Sequence, residues 1–230
     1  MKLLNIFCEG PTEQGFCVQV LQPHLFPQGD GRILTLAVGE KDHHHLYGLG
    51  PSGKYERVRK FICNTIEQRE GRNVYFTTMF DLYALPNDFP GKAGNVRNPA
   101  DPTPYLTALE NALEQSIDYH RFIPYLQLHE YETMLFADPE AFAVSFENCD
   151  AAIQHLKAVA ASVLSIELIN DSKGTAPSKR IIDVIPQYDG RKSTAGPDVA
   201  EYIGIVEIRN QCPHFHQWLT RLETLLWETE

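Results

Sequence analysis

Cysteine is too sparse and too scattered in this sequence to build a disulfide framework. There are 5, at positions 8, 17, 63, 149 and 212, an odd number with no Cys-x-x-Cys pair, so a cysteine zinc site is not indicated either. No apolar run is long enough to span a bilayer, and the first residues lack the basic region, long apolar segment and small-residue cleavage site of a secretory signal. The expected setting is therefore the cytoplasm, away from membranes. Positive charge is short too: 20 Lys and Arg stand against 30 Asp and Glu, a net −10. Such a balance argues against gripping nucleic acid over a long basic surface by counterion release. It leaves room for a nuclease, because carboxylates that hold divalent metals make a site acidic. No glycine-rich loop of the Walker type is present, so ATP hydrolysis by that route is not expected.

What the sequence does have begins at residue 3. Leu3-Leu4-Asn5-Ile6-Phe7-Cys8 carries no charge and suits a strand buried on both faces of a parallel sheet. It runs into Glu9-Gly10-Pro11-Thr12-Glu13, where Gly10 permits a tight turn, Pro11 suits a helix start and Thr12 is a candidate cap for a helix carrying Phe16, Val20 and Leu21. Glu9 would face the crevice at a strand's carboxyl end, where open α/β sheets bind ligands. Glu9 and Glu13 serve equally well as negative charges favoured at a helix N-terminus.

Further strands are expected over Ile33 to Val38, Val74 to Phe80 and Phe122 to Leu128, separated by amphipathic helices over 53–70 and 105–117. This alternation predicts an α/β fold with a mainly parallel sheet of about four strands flanked by helices. The third strand runs into Asp81 and the fourth into His129-Glu130-Tyr131-Glu132, so Glu9, Asp81 and Glu130 should emerge at one sheet edge. From residue 139 onward the pattern is helical, with helices expected over 151–164, 177–185 and 212–227. The whole of 1–230 is expected to form one domain, with a sheet core over about 1–138 and a helical part over 139–230.

Hard cations such as Mg²⁺ need oxygen ligands and use one or two carboxylates together with water and substrate phosphate, so acids scattered at strand ends suffice. Glu9, Asp81 and Glu130 are accordingly the expected metal-binding and catalytic residues, for Mg²⁺ or Mn²⁺. Glu13, His129 and Glu132 would stand behind them as supports. His129-Glu130 resembles the start of a zinc-protease helix, but Thr133 occupies the place of the second histidine. The turn-rich Asn170 to Arg180 loop enters a helix and offers N–H groups with Lys179 and Arg180, a combination suited to substrate phosphate or to a plain capped helix. The long segment 82–104, which carries Lys92 and Arg97, is of a length typical of functional lids or disordered segments. Asp42 to His45 and the Cys212, His214, His216 group resemble metal-ligand material, but their spacing does not bring the side chains together.

Five segments in order carry a resemblance: EGPTEQGF from Glu9, TTMFDLYALPNDFPG from Thr77, LQLHEYETMLFADP from Leu126, INDSKGTAPSKRI from Ile169 and IRNQCPHFHQWL from Ile208. In these the chain resembles the bacterial domain-of-unknown-function family four-two-seven-six, regarded as Toprim-like. That resemblance implies a fold shared with topoisomerases, primases and the nucleases of overcoming-lysogenization-defect type. It also implies a glutamate after the first strand, matched by Glu9, and an Asp-x-Asp pair after the third, matched at Asp81 but not at Tyr83. Glu130 would replace the lost carboxylate. The resemblance further implies an ATPase partner in an anti-phage defence system. The leading expectation is thus a Mg²⁺-dependent nuclease subunit acting on DNA or RNA. Its rivals are a non-catalytic subunit that regulates an ATPase or nucleic acid, and a phosphatase or phosphotransferase on small substrates.

Overall fold

The computed structural model describes residues 1–38, 40–42, 45–47, 53–169 and 174–227. Strand β1 (Lys2–Cys8) leads into α1 (Pro11–Phe16), a π-helical turn (Cys17–Leu21) and α2 (Gln22–Leu25). The π turn precedes Pro23, which has no N–H for an ordinary α-helical bond, and wider turns are one way a helix accommodates such a gap. Next come β2 (Gly31–Ala37), a small hairpin of β3 (Glu40–Asp42) and β4 (His45–Tyr47), α3 (Tyr55–Arg69), β5 (Val74–Asp81) and α4 (Thr103–Ile117). After these, β6 (Phe122–Ile123) and β7 (Leu126–Gln127) complete the sheet, and α5 (Asp150–Ala161), α6 (Pro177–Val184), α7 (Lys192–Ile203), α8 (Ile205–Gln211) and α9 (Pro213–Trp227) follow. Helices α7 and α8 lie beyond those expected from periodicity.

The main sheet runs β2-β1-β5-β6, with β7 also paired to β5, and every pairing in it is parallel. The expected fourth strand is divided in two. Pro124 offers no N–H to a ladder, and the threonines of β5 take over part of the pairing. Thr78 Oγ1 donates to the Tyr125 carbonyl at 2.9 Å and accepts the Tyr125 N–H at 2.8 Å, while Thr77 Oγ1 donates to the Ile123 carbonyl.

Both faces of the sheet are covered, as its apolar strands require. Phe7, Phe76 and Phe80 face α3 and α4 through Val58, Ile62, Leu106 and Leu109. On the other face Leu4, Ile6 and Met79 share a cluster with Phe16 of α1 and with Phe215, Trp218 and Leu219 of α9. Burying each such side chain contributes roughly 1.5–3 kcal/mol. The C-terminal helices are therefore packed into the sheet's own core. Helix α7 crosses α1 at close range: a Cβ at Gly15 would stand 2.5 Å from Pro197 Cγ, so a larger residue there would push the helices apart.

Candidate functional site

Parallel strands place their carboxyl ends along one edge, and the register fixes which residues leave there together. Cys8 pairs with Met79, so Glu9 is level with Phe80 and one step short of Asp81. By alternation Asp81 shares the side of Met79, the side covered by α1 and the C-terminal helices. On the adjacent strand β7, Gln127 pairs with Asp81, and Glu130 follows three residues later. Glu9, Asp81 and Glu130 are thus brought to one edge.

Two more acids join them. Glu13 and Glu132 are both buried. Glu13 Oε2 accepts the Gly10 N–H at 2.8 Å, so Glu13, and not Thr12, closes the start of α1. Glu132 lies in a 3-10 turn (Tyr131–Ala137) rather than in an α-helix, and its Oε1 takes a hydrogen bond from the Tyr188 hydroxyl at 3.4 Å and faces Lys192 Nζ at 3.6 Å. Glu130 sits just before this turn, partly exposed, with Oε2 accepting the Ser178 N–H at 3.1 Å.

The electrostatics follow from this crowding. Glu9 is pushed up to about 8, first by burial, then by Glu13, with smaller contributions from Glu130 and Glu132, while the Asp81 backbone N–H opposes the shift. Asp81 is raised well above the usual carboxylate range by burial and by Glu9, Glu13, Glu132 and Glu130. Asp81 keeps some exposure to solvent even so. Glu132 rises to about 7, chiefly through burial, against the pull of Lys192. Burial also raises Glu13, with its hydrogen bonds and Lys192 opposing. Like charges and desolvation together favour the protonated forms.

One atom stands out within this group. Glu9 Oε2 is buried and has no hydrogen-bond partner. An unsatisfied buried acceptor costs about 1–3 kcal/mol, more when charged. The donor set, five carboxylates, is the kind that hard divalent cations take. Among the described residues no group of three or more His, Cys, Asp or Glu side chains stands ready-made to hold a metal ion. The donor chemistry fits Mg²⁺ or Mn²⁺, and gripping one would require the carboxylates to turn toward each other. Such a turn is opposed by their own repulsion until a cation is present.

The flank of the site is cationic and aromatic. Tyr83, in the place of the second aspartate that the resemblance implies, makes a 3.0 Å hydrogen bond with His129 Nδ1. His129 is buried, has a left-handed backbone (φ 72°), and burial with the neighbouring Arg97 guanidinium holds it down at about 4, so it is neutral. A non-glycine residue in that region is strained, and such residues gather at ligand sites and turns that the surroundings over-determine.

Over residues 8–223 the chain matches the family model described as Domain of unknown function (DUF4276). It belongs to that family. The match takes in every residue of the DUF4276 edge site described above. No curated protein and no solved structure matches the chain.

Of the remaining sequence candidates, the start of α6 that carries Lys179 and Arg180 touches the acid edge through the Ser178 N–H, while the histidines at 214 and 216 have other partners. Lys179 is exposed, and Arg180 Nε donates to the Thr175 carbonyl of its own loop. Residues 170–173 of that loop, and His43 and His44, lie outside the described residues. His214 bonds Glu110 at 2.9 Å, whereas His216 accepts from Arg209 Nε, so the two histidines of the 212–216 group are committed to different partners. Lys192 and Tyr188 were not legible as site residues. Both reach the acids only through the packing of α7 and its preceding turn on α1 and the 131–137 turn, which leaves no local signature.

Proposed function

We propose that this chain is a divalent-cation-dependent phosphodiester-cleaving enzyme, a nuclease subunit using Mg²⁺ or Mn²⁺. The observation that carries the reading is the buried, unpartnered Oε2 of Glu9 within a group of five acids at the sheet's carboxyl edge. Clustered, desolvated carboxylates destabilise a fold unless a ligand of opposite charge offsets them. A bound cation would supply the positive charge that a phosphoryl transition state needs. Glu9, Asp81 and Glu130 are the residues that would hold it. Glu9 also has the attributes of a proton-transfer group, since it is poised near neutrality at about 8. Lys192 balances Glu132 and so limits the net negative charge that an incoming phosphate meets.

An ATPase partner, a role in anti-phage defence and a cytoplasmic setting belong to the same proposal through the family resemblance. No helix among the described residues is long and apolar enough to cross a membrane. The non-catalytic reading has its own support in Tyr83, whose hydroxyl engages His129 where a second carboxylate would serve a metal. In that case the chain would bind nucleic acid or an ATPase and regulate it.

Cleavage of labelled single- and double-stranded DNA and RNA, with and without Mn²⁺, separates the two. The enzyme reading expects cation-dependent cleavage that Glu9→Gln and Asp81→Asn abolish. Binding without cleavage by the wild type, with and without an ATPase partner, leaves the regulatory subunit.

A further inference from the structure

Beside the acids lies a small cavity of about 220 Å³ lined by Leu82, Tyr83, Asn87, Lys92, Arg97 and Tyr105. It adjoins the candidate site along the chain, since Tyr83 stands two residues beyond Asp81 and contacts His129, the neighbour of Glu130. Two cations line a cavity in a protein of net charge −10. Neither has a carboxylate partner among the described residues, although acids outnumber bases by 30 to 20 in the sequence. The Nε of Arg97 is buried without an acceptor, and its guanidinium reaches the two ring nitrogens of His129 only at 3.4 and 3.5 Å, long for hydrogen bonds. Lys92 Nζ donates to the Leu85 carbonyl at 2.8 Å, which uses one of its three protons. The donors left over are matched to an anion with several acceptor oxygens.

The geometry points to this cavity as the binding subsite for a phosphate group of the nucleic-acid strand, next to the one presented to the acids. This rests on the reading of the edge as a phosphodiester-cleaving site and deepens it. Arg97 supplies a planar, multidentate donor set and Lys92 a point charge, a pairing suited to phosphate oxygens. Tyr83, 36% exposed, and Tyr105 stand at the same cavity, where aromatic rings can meet a sugar or base. The segment 82–104 would then act as a fixed cationic wall: Leu85 and Phe89 anchor it in the core against α3 and α4. Positive charge, scarce in the sequence, would be concentrated here beside the acids.

The test uses the full chain loaded with Ca²⁺ in place of Mg²⁺ to suppress turnover, and titrates in turn inorganic phosphate, thymidine 5′-monophosphate and a short single-stranded phosphorothioate oligonucleotide. Lys92→Gln and Arg97→Gln should each weaken oligonucleotide binding about tenfold, and Arg97→Lys should lose less. Arg32→Gln, at an exposed position near the start of β2 and so at the opposite end of the strands from the acids, is the control and should bind as the wild type does. The cation-induced rise in melting temperature should be the same in all four variants, which verifies that the acids are intact. Oligonucleotide binding unchanged in both Lys92→Gln and Arg97→Gln overturns the subsite, even if the wild type cleaves. Conversely, weakened binding in these variants of a wild type that does not cleave under any cation retains the phosphate subsite and removes the nuclease reading. Equal loss for inorganic phosphate and for the oligonucleotide marks a site for free phosphate instead and overturns the strand assignment.

Discussion

The Glu130 carboxylate accepts the backbone N–H of Ser178 at 3.1 Å, so an acid from the sheet edge occupies the N-terminus of α6. This ties together two features that are 48 residues apart and were separate candidates in the sequence. The anion that satisfies the start of α6 is one of the protein's own acids. Glu130→Ala should therefore cost about 1–2 kcal/mol of stability, as loss of a helix cap does, measured by urea denaturation. Lys179→Ala, at an exposed position, should change stability by under about 0.5 kcal/mol. Should the Lys179→Ala, Arg180→Ala double variant also lose nucleic-acid binding at unchanged stability, that loop contributes to phosphate binding in addition.

The acids give the cation-free protein an unusual dependence on pH. With Glu9 near 8 and Glu132 near 7, the folded state retains protons that the unfolded chain has already released. Stability contributed by these raised groups is fully present below the ordinary carboxylate range and is lost as pH climbs through 7 and 8. The melting temperature in chelator should fall between about pH 5 and about pH 8.5, and millimolar Mn²⁺ should restore it increasingly toward the alkaline end. A flat profile in chelator would show that the five acids do not share one environment.

Neutralising one acid should separate stability from function. Glu9→Gln removes the charge that Asp81 meets first and keeps the side-chain shape. At about pH 8.5, in chelator, this variant should be more stable than the wild type by roughly 1–3 kcal/mol, while any cleavage is abolished. Asp81→Asn should abolish cleavage as well and should lose more of the Mn²⁺-induced stabilisation than Glu9→Gln. Equal retention of that stabilisation in both would remove Asp81 as a cation ligand.

The threonine pair of β5 is open to the same kind of measurement. Thr78→Val preserves shape but strips both threonine hydrogen bonds from Tyr125, leaving its buried N–H unpaired and its carbonyl with only the long 3.5 Å bond from the Phe80 N–H. The expected cost is about 1–3 kcal/mol in urea denaturation. An effect below 0.5 kcal/mol, taken as the order expected of a surface change, would mean that the Tyr125 groups find other partners.

Much of this was legible from local pattern. The uncharged run Leu3 to Cys8 and the β-branched and aromatic run at 74–80 are strands buried on both faces, and the acid after each is where the parallel edge places it. Pro124 was visible in the sequence, but its effect depends on Thr77 and Thr78, some 47 residues earlier, standing opposite it. The depth of Glu132 was not legible, because no local pattern marks the 3-10 turn over 131–137 that directs it inward among Lys192 and Tyr188. Lys192 itself has no signature. It is one lysine at a helix start, and the Gly15–Pro197 contact of α1 with α7, together with the Tyr131 hydroxyl's bond to the Gly196 carbonyl, brings that helix to the acids.

That contact bears on the order in which the protein is made. The acid edge begins with Glu9, yet the lysine that partly balances it is residue 192, and the indole that bonds Thr77 of the central strand belongs to Trp218. During synthesis the first strand emerges long before either, so between Glu132 and α7 the edge acids stand without this counter-charge and one face of the sheet stands without its C-terminal cover. A chain interrupted before α7 would carry the candidate ligands without their counter-charge and without the far wall of their core. Completion of the site is thereby tied to synthesis of α7 and α9, and chains that stop before these helices would lack a finished site.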